Sequence, residues 1–283
     1  MNNSVANISV ASQPTIATQF NLAQQGWDAI GVARHRVSVV IPARNEAKNL
    51  PYVLPRIPFW VHEVILVDGN STDGTADVAR ALIPTIRVVG QAGKGKGNAL
   101  RAGFAACTGD IIVMLDADGS TDPAEIPSYV GALLSGADFA KGTRFIQGGG
   151  TSDMELHRKA GNWGLTTLVR ILFGGNYSDL CYGYNAFWAH VLPRLDLDAD
   201  GFEIETLMNV RALRQGLLVA EVPSFEYDRI FGTSNLHAVR DGLRVLRTIF
   251  QEWVKPVPAR VPRTQMANQL RFDSPRGVAI ENP

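Results

Sequence analysis

The sequence predicts an α/β fold with a mostly parallel central β-sheet that is covered by helices on both faces. Three observations support this prediction. Apolar runs of strand length alternate with stretches of helical periodicity, and polar, glycine-containing loops follow the runs. The 283 residues, 46% of them hydrophobic, are also enough to bury one large core.

Strands and helices alternate along the first half of the chain. A strand, a helix and a second parallel strand form the usual unit of such a sheet. The predicted strands are 37–43, 64–68, 86–89 and 111–115, and helix-like stretches lie near 46–57, 73–83 and 97–107.

The two ends of the chain depart from this pattern. Residues 1–35 are rich in Asn, Ser, Ala and Gln, and we predict a flexible leader. Residues 255–283 contain five of the 15 prolines with five basic and two acidic residues, and we predict a disordered tail. The main domain is then 36–235, and 236–254 forms an amphipathic helix.

Composition excludes several classes of function. The 27 basic residues balance the 27 acidic ones, so the chain lacks the basic surplus that nonspecific nucleic-acid binding requires. The 2 cysteines provide neither a disulfide framework nor a zinc-binding spacing. The first 33 residues carry one charge, Asp28, and no run of about 18 apolar residues occurs. We therefore expect a cytoplasmic protein without a signal peptide or a membrane span.

Polar loops follow all four predicted strands. They are residues 42–46, 68–74, 93–98 and 116–118. Because the carboxyl ends of parallel strands meet at one edge of the sheet, where ligands of such folds bind, the loops should form one site. Helix capping explains a single polar loop without a ligand, but four in succession favour a ligand.

Asp116 and Asp118 indicate a divalent cation. Two carboxylates after a buried strand repel each other unless a cation or protons compensate them, and Mg²⁺ or Mn²⁺ shared with substrate phosphates meets that need. Residues 90–96 have the G-x-x-x-x-G-K spacing, but Gly97 stands where a phosphate-binding loop requires Ser or Thr. The segment is therefore read as a glycine-lined loop whose lysines reach an anionic ligand.

Four motifs together resemble the family 2 inverting glycosyltransferases of the GT-A fold. They are residues 39–46, 66–75, 95–101 and 116–118, and their order and spacing match. The chain looks most like the dolichyl- and polyprenyl-phosphate mannosyl- and glucosyltransferases, over residues 37–235. The resemblance implies the GT-A, Rossmann-like fold of nucleotide-diphospho-sugar transferases.

The resemblance also implies roles for single residues. Glu46 would accept hydrogen bonds from the ribose, Asp68 would contact the base, and Asp118 would be the main metal ligand. The sequence departs from the family at Gly69, where a second Asp is common, and at Ser120, where the polyprenyl branch tends to have Gln. The implied donor-site residues are Pro42, Ala43, Asn45, Glu46, Asp68, Lys96, Asp116, Ala117, Arg144 and Arg158.

Three arginines are implied as ligands of the phosphate groups of donor and acceptor. Arg144 and Arg229 lie in segments that resemble the Gly-Ser-Arg and Arg-x-x-Gly-x-Ser elements of that branch, and Arg158 lies where the branch has another basic residue. Their guanidinium groups can bind the donor diphosphate and an acceptor phosphate through paired hydrogen bonds.

The need for a general base depends on the acceptor. A phosphate acceptor is already ionised, whereas a sugar hydroxyl must lose its proton to a carboxylate. Asp179 lies in a segment that resembles the acceptor-side Asp segment of the family. Glu203 and Glu205 are the alternatives, with capping of a helix as a competing explanation.

Two amphipathic helices are predicted on the acceptor side. Each apolar stripe suits either the protein core or a membrane surface. Arg240, Arg244 and Arg247 run beside the second stripe, a pattern typical of interfacial helices, so peripheral contact with the inner face of the membrane is an added expectation. The stripes are Leu165, Leu168, Val169 and Leu172, and Val239, Leu243, Leu246, Phe250 and Trp253.

The predicted function is metal-dependent transfer of a sugar from a UDP- or GDP-sugar donor to an acceptor, with a polyprenyl phosphate as the first choice. A small soluble acceptor is the alternative within the same chemistry. A nucleotidyltransferase and a nucleotide-sugar binding module without catalysis are further alternatives, disfavoured by the loop after the first strand and by the two aspartates. The sequence leaves the sugar, the nucleobase and the oligomeric state open.

Overall fold

The computed structural model describes residues 34–152, 154–233 and 237–256. Most of the predicted leader and of the predicted disordered tail lies outside the described residues, and the domain boundaries stay predictions.

A seven-stranded sheet forms the centre of the described chain, in the order β3-β2-β1-β4-β7-β5-β8. β7 pairs antiparallel with both of its neighbours, and the other neighbouring strands of this sheet pair in parallel. A second sheet pairs β6 with β9. The strands are β1 (Val37–Ala43), β2 (Glu63–Asp68), β3 (Arg87–Gly90), β4 (Ile111–Met114), β5 (Phe139–Thr143), β6 (Gly150–Thr151), β7 (Asn185–Trp188), β8 (Val219–Pro223) and β9 (Phe225–Glu226).

Helices connect and cover these strands. Short 3₁₀ segments at Leu54–Arg56, Pro123–Glu125 and Ala189–Val191 adjoin them. The α-helices of the described residues are α1 (Leu50–Val53), α2 (Thr75–Leu82), α3 (Lys96–Ala106), α4 (Ile126–Leu134), α5 (Leu156–Phe173), α6 (Leu192–Leu195), α7 (Glu203–Arg214) and α8 (Ala238–Val254). The predicted α/β fold with a mostly parallel sheet is confirmed.

The first predicted helix is shorter than expected. Asn45 has a φ of 58°, in the left-handed region, and α1 begins only at Leu50. The backbone N–H group of Glu46 donates to Thr75 Oγ1 at the start of α2 (2.9 Å), and that of Ala47 donates to Asp73 Oδ2 of the second loop (3.0 Å). The left-handed backbone at Asn45 and these two contacts hold the first loop against the second, and residues 47–49 form a turn that leads into α1.

The core lies on both faces of the sheet. Side chains alternate along β1, so Val39 and Ile41 pack with α1 and α4, whereas Val40 packs with α3 and α7. Gly103 of α3 lies against Val40 and Val67 so closely that a Cβ would overlap their methyl groups. This contact sets how near α3, which begins at Lys96, lies to the sheet.

Helices α5, α7 and α8 share a third cluster, which includes Val169, Val210, Val245 and Ile249. The apolar stripe predicted on α5 packs into this cluster. The stripe predicted on α8 lies mostly on the surface, where Val239 is 78% and Trp253 51% exposed. No helix among the described residues is long and apolar enough to cross a bilayer.

Candidate active site

The carboxyl ends of β1 to β4 and the amino end of β7 surround a cavity of about 740 Å³. Because β7 runs antiparallel, the segment that precedes it, Cys181–Gly183, reaches the same edge as the four predicted loops. Asn45, Asp68 and Asp179 do not line the cavity. The predicted residues that line it are Pro42, Ala43, Glu46, Lys96, Asp116, Ala117, Asp118, Arg144, Arg158 and Arg229.

Asn45 joins the first loop to the second. Its Oδ1 accepts a hydrogen bond from Thr72 N (2.9 Å), and its own N–H donates to Ser71 Oγ (2.9 Å). Asp68 accepts from Ser71 N at 3.2 Å. Both residues therefore stabilise the loops that border the cavity, and neither lines the cavity itself.

Glu46 is buried and holds two partners. Its Oε2 accepts from Asn49 Nδ2 at 2.5 Å, and its Oε1 accepts from Arg229 Nη1 at 2.8 Å. Asn49 also exchanges hydrogen bonds with the backbone of Phe231, through N–H to Oδ1 (2.9 Å) and Nδ2 to the carbonyl (3.2 Å). Sequence reasoning missed Asn49. Its position three residues after Glu46, just beyond the first polar loop, was the only signal available.

Each of the two predicted metal ligands contacts a cationic side chain. Asp116 Oδ1 lies 2.6 Å from Lys96 Nζ, and Asp118 Oδ2 lies 2.9 Å from Arg229 Nη2. Asp118 Oδ1 also accepts from Ser120 Oγ at 2.7 Å. Ser120, where Gln was expected from the resemblance, thus orients Asp118.

Lys96 bridges two acids. Its Nζ lies 2.6 Å from Asp116 Oδ1 and also 2.6 Å from Glu205 Oε1. Burial alone would lower the pKa of Lys96, but the charges of Asp116 and Glu205 raise it above its usual value, so the ammonium stays charged. Gly183 leaves room for this pair, since a Cβ there would lie 2.9 Å from Lys96 Nζ.

Arg144 forms a buried ion pair with Asp179. Its Nε and Nη2 donate to the two carboxylate oxygens at 2.7 and 2.9 Å, and its Nη1 donates to Glu226 Oε2 at 2.7 Å. Burial alone would raise the pKa of Asp179, but these hydrogen bonds and the charge of Arg144 lower it. Lys141 is also fully buried and donates to the Tyr182 carbonyl at 2.7 Å, on the segment that reaches the cavity.

Only one of the three candidate general bases lines the cavity. Both carboxylate oxygens of Asp179 are bonded to Arg144, and Glu203 Oε1 accepts from Gly201 N at 3.0 Å near the start of α7. Glu205 lines the cavity and is paired with Lys96. Burial raises the pKa of Glu205 in spite of that lysine.

The residues present fit a hard divalent cation. Asp116 and Asp118 supply carboxylate oxygens, and both side chains keep part of their surface open to the cavity. No group of three or more His, Cys, Asp or Glu that could hold a metal occurs among the described residues. The two aspartates would therefore hold the cation together with phosphate and water oxygens.

Comparison with known proteins agrees with this geometry. Residues 38–195 match the family described as Glycosyl transferase family 2. The chain belongs to glycosyl transferase family 2. This chain is 35% identical over 213 residues to an undecaprenyl-phosphate mannosyltransferase of Micrococcus luteus. The match covers 71% of this chain and 87% of that protein. Over 233 residues it is 32% identical to a polyprenol monophosphomannose synthase of Mycolicibacterium smegmatis, covering 77% and 86%.

A solved structure extends the family 2 comparison to three dimensions. Glucosyl-3-phosphoglycerate synthase from Mycobacterium tuberculosis, in complex with Mn²⁺, UDP and phosphoglyceric acid, matches with a TM-score of 0.64 and 26% identity. The match covers 82% of this chain and 83% of that chain. The GT-A fold and the glycosyltransferase activity that the motifs predicted are therefore confirmed.

Proposed function

We propose that this glycosyltransferase transfers a sugar from a UDP- or GDP-sugar to a polyprenyl phosphate, with inversion at the anomeric carbon and with Mg²⁺ or Mn²⁺ bound. One observation carries the proposal. The cavity that contains Asp116 and Asp118 is also lined by Arg144 and Arg158, and it reaches the amphipathic helix α8. The cavity offers cationic side chains to a donor diphosphate and to an acceptor phosphate, and α8 exposes apolar side chains that suit a lipid chain.

The donor half of the cavity carries positive charge where the leaving group forms. Transfer makes a bond from an acceptor oxygen to the anomeric carbon and breaks the bond to the nucleoside diphosphate, which leaves with the electron pair. Lys96 and Arg229 hold their charges beside Asp116 and Asp118, where they can stabilise that developing negative charge. A bound divalent cation supplies further positive charge against the diphosphate.

The acceptor half favours a phosphate over a hydroxyl. A phosphate needs no general base, and the arrangement of acids agrees with that. Asp179 is bonded to Arg144 through both oxygens, and Glu205 is paired with Lys96. Arg158 is exposed at the cavity and can receive an anion.

Helix α8 supports peripheral contact with a membrane. Its apolar side chains Val239, Leu243, Phe250 and Trp253 are exposed, 44% or more in each case. Arginines at 240, 244 and 247 are exposed on the same helix, and this pattern suits a surface of anionic lipid. Such contact would bring the cavity to a lipid-borne acceptor.

A soluble phosphorylated acid is the second candidate acceptor. The observation in its favour is the structural similarity to glucosyl-3-phosphoglycerate synthase, crystallised with phosphoglyceric acid. Both candidate acceptors present a phosphate to the same arginines, but only the lipid acceptor uses the exposed stripe of α8.

A transfer assay distinguishes the two acceptors. The full chain is incubated with radiolabelled UDP-glucose or GDP-mannose, Mn²⁺, and either undecaprenyl phosphate in vesicles or phosphoglyceric acid in solution. We expect label in the organic phase with one of the donors, and none with the Asp118→Asn variant. Label that appears only in a water-soluble product would replace the lipid acceptor with the soluble one.

A further inference from the structure

A second cavity, of about 290 Å³, lies between helices α5, α7 and α8. It is close to the lower limit of ~300 Å³ for small-molecule sites. Its lining is mainly apolar and includes Met154, Leu165, Val239 and Val245. It borders the main cavity, because residues such as Arg158 and Phe202 line both. A molecule with a polar head in the main cavity could therefore extend an apolar part into this one.

An unpaired donor lies in the wall of the second cavity. Asn162 is buried, and its Oδ1 accepts from Cys181 N at 3.0 Å. Because Cys181 N can only donate, this hydrogen bond fixes the orientation of the amide. Asn162 Nδ2 then has no acceptor among the described residues. Buried polar groups are nearly always hydrogen-bonded. An oxygen of a bound molecule would supply the acceptor that the described residues do not provide.

The acids that line this cavity are paired with basic side chains, so they do not exclude an anion by repulsion. Glu205 is paired with Lys96, and Asp241 lies 3.5 Å from Arg240 and 3.3 Å from Arg244. Arg158 is exposed and lines both cavities. The boundary between the two cavities therefore suits a phosphate, and the apolar walls beyond it suit hydrocarbon.

We propose that the second cavity binds the isoprene unit next to the phosphate of the lipid acceptor, and that Asn162 Nδ2 donates a hydrogen bond to an oxygen of this lipid. This inference rests on the proposed function, because it names where that acceptor lies. The rest of the lipid then leaves past Val239, which lines the cavity and is 78% exposed, toward the apolar stripe of α8. A soluble phosphorylated acid has no group that suits the apolar walls.

Calorimetry on the full chain, with nucleoside diphosphate and Mn²⁺ present, tests the proposal. The probes are farnesyl phosphate and inorganic phosphate. Wild type should bind farnesyl phosphate at least tenfold more tightly. Asn162→Asp keeps the oxygen for Cys181 N but puts a carboxylate in the wall of the cavity that the isoprene unit would occupy, so it should weaken farnesyl phosphate binding more than phosphate binding and lose that preference.

A surface variant removes the risk that Asn162→Asp fails to fold. Val239→Glu puts a charge at the mouth of the cavity, and we expect it to weaken farnesyl phosphate binding at least tenfold without affecting the nucleotide. Val254→Glu is the matched control, because Val254 is 74% exposed on the same helix and does not line the cavity. This control should bind both probes as wild type does.

The outcomes separate the inference from the proposed function. If wild type glycosylates a lipid phosphate but Val239→Glu and Asn162→Asp bind farnesyl phosphate as wild type does, the second cavity is not the lipid site and the function stands. Equal affinity of wild type for farnesyl phosphate and inorganic phosphate would also show that the second cavity is not the lipid site. If wild type transfers sugar only to a water-soluble acceptor, the function fails and the inference fails with it.

Discussion

At the scale of single residues, three acids in or near the cavity are each paired with a basic side chain. Asp116 contacts Lys96, Asp118 contacts Arg229, and Asp179 contacts Arg144. The first two pairs line the cavity, where a diphosphate and a divalent cation would bind under the proposed function. The third is buried, so loss of either partner would leave an uncompensated charge inside the protein.

Replacement of Asp118 should remove catalysis and leave the fold intact. In Asp118→Asn, one carboxylate of the proposed cation site is lost, and turnover should fall by about a hundredfold or more. Arg229 keeps its second partner, Glu46, at 2.8 Å, so the unfolding midpoint should stay close to that of wild type. Asp110→Asn, just before the other end of β4, is the control. Full turnover of Asp118→Asn, or of wild type in EDTA, would exclude a role for the metal.

Replacement of Glu46 should weaken nucleotide binding. Glu46→Gln keeps the shape of the buried side chain and removes its charge, and we expect a loss of about 1–3 kcal/mol in nucleoside diphosphate affinity. Asp68→Asn should have an effect of similar size if its loop contacts the base. Asp77→Asn, 87% exposed on α2, is the control. Unchanged calorimetric affinity in both test variants would mean that the nucleotide binds elsewhere.

The Arg144–Asp179 pair should make stability depend on pH. The pKa of Asp179 is lowered in the folded chain, so its contribution is present above its unfolded pKa of ~3.9 and is lost as the pH falls through the folded value. Asp179→Asn should cost about 3–5 kcal/mol of unfolding free energy at neutral pH. Urea unfolding of both proteins should show this difference shrinking below about pH 4. A difference that does not change with pH would contradict the assignment.

At the scale of elements, α8 has two different faces. Val245 and Ile249 pack into the cluster with α5 and α7, and Glu252 accepts from Arg211 of α7 at 2.9 Å. The opposite face presents apolar side chains and arginines to solvent. The helix is therefore anchored by one face and leaves the other for a partner surface.

Reversal of the α8 arginines should abolish membrane binding. Each arginine near an anionic surface contributes on the order of 1 kcal/mol, and the attraction weakens with salt. Wild type should sediment with anionic vesicles at low salt, whereas Arg240→Glu/Arg244→Glu/Arg247→Glu should not. The matched control reverses Arg36, Arg56 and Arg80, which are 52–57% exposed and lie outside α8. Equal sedimentation of the two triple variants would show that α8 does not contact the membrane.

At the scale of the whole molecule, the site is assembled from distant parts of the chain. Glu46, Lys96, Glu205 and Arg229 come from four separate segments that meet at one edge of the sheet. A ligand that holds these segments together binds the folded chain and not the unfolded one. Its binding therefore adds to the free energy of unfolding.

Cation and nucleotide together should raise the melting temperature. At a ligand concentration of a hundred times Kd, stabilisation is about 2.7 kcal/mol, or roughly 5–10 °C for a chain of this size. We expect this shift with UDP or GDP plus Mn²⁺, and a much smaller one after EDTA is added. Asp118→Asn should show only the smaller shift. A shift that EDTA leaves unchanged would mean that nucleotide binds without a metal.

Local patterns in the sequence were enough to predict the sheet and one side of the site. All four predicted strands occur as β1 to β4. A run of apolar residues between polar loops indicates a buried strand by its composition alone. The loops after them line the cavity, because parallel strands place their carboxyl ends at one edge. Asp116 and Asp118 could be identified for the same reason, since their two-residue spacing is local.

Tertiary structure alone decided which side chains meet. Asn49 bonds to Phe231 across 182 positions, and no local pattern encodes such a contact. The sequence likewise pointed to Asp179 with Glu203 and Glu205 as alternatives, and their burial and partners distinguish the three only in the folded chain. The sequence determined which residues could act, because chemistry and periodicity are local. The fold decided which of them reach the cavity, because burial and pairing depend on chain segments that are far apart in sequence.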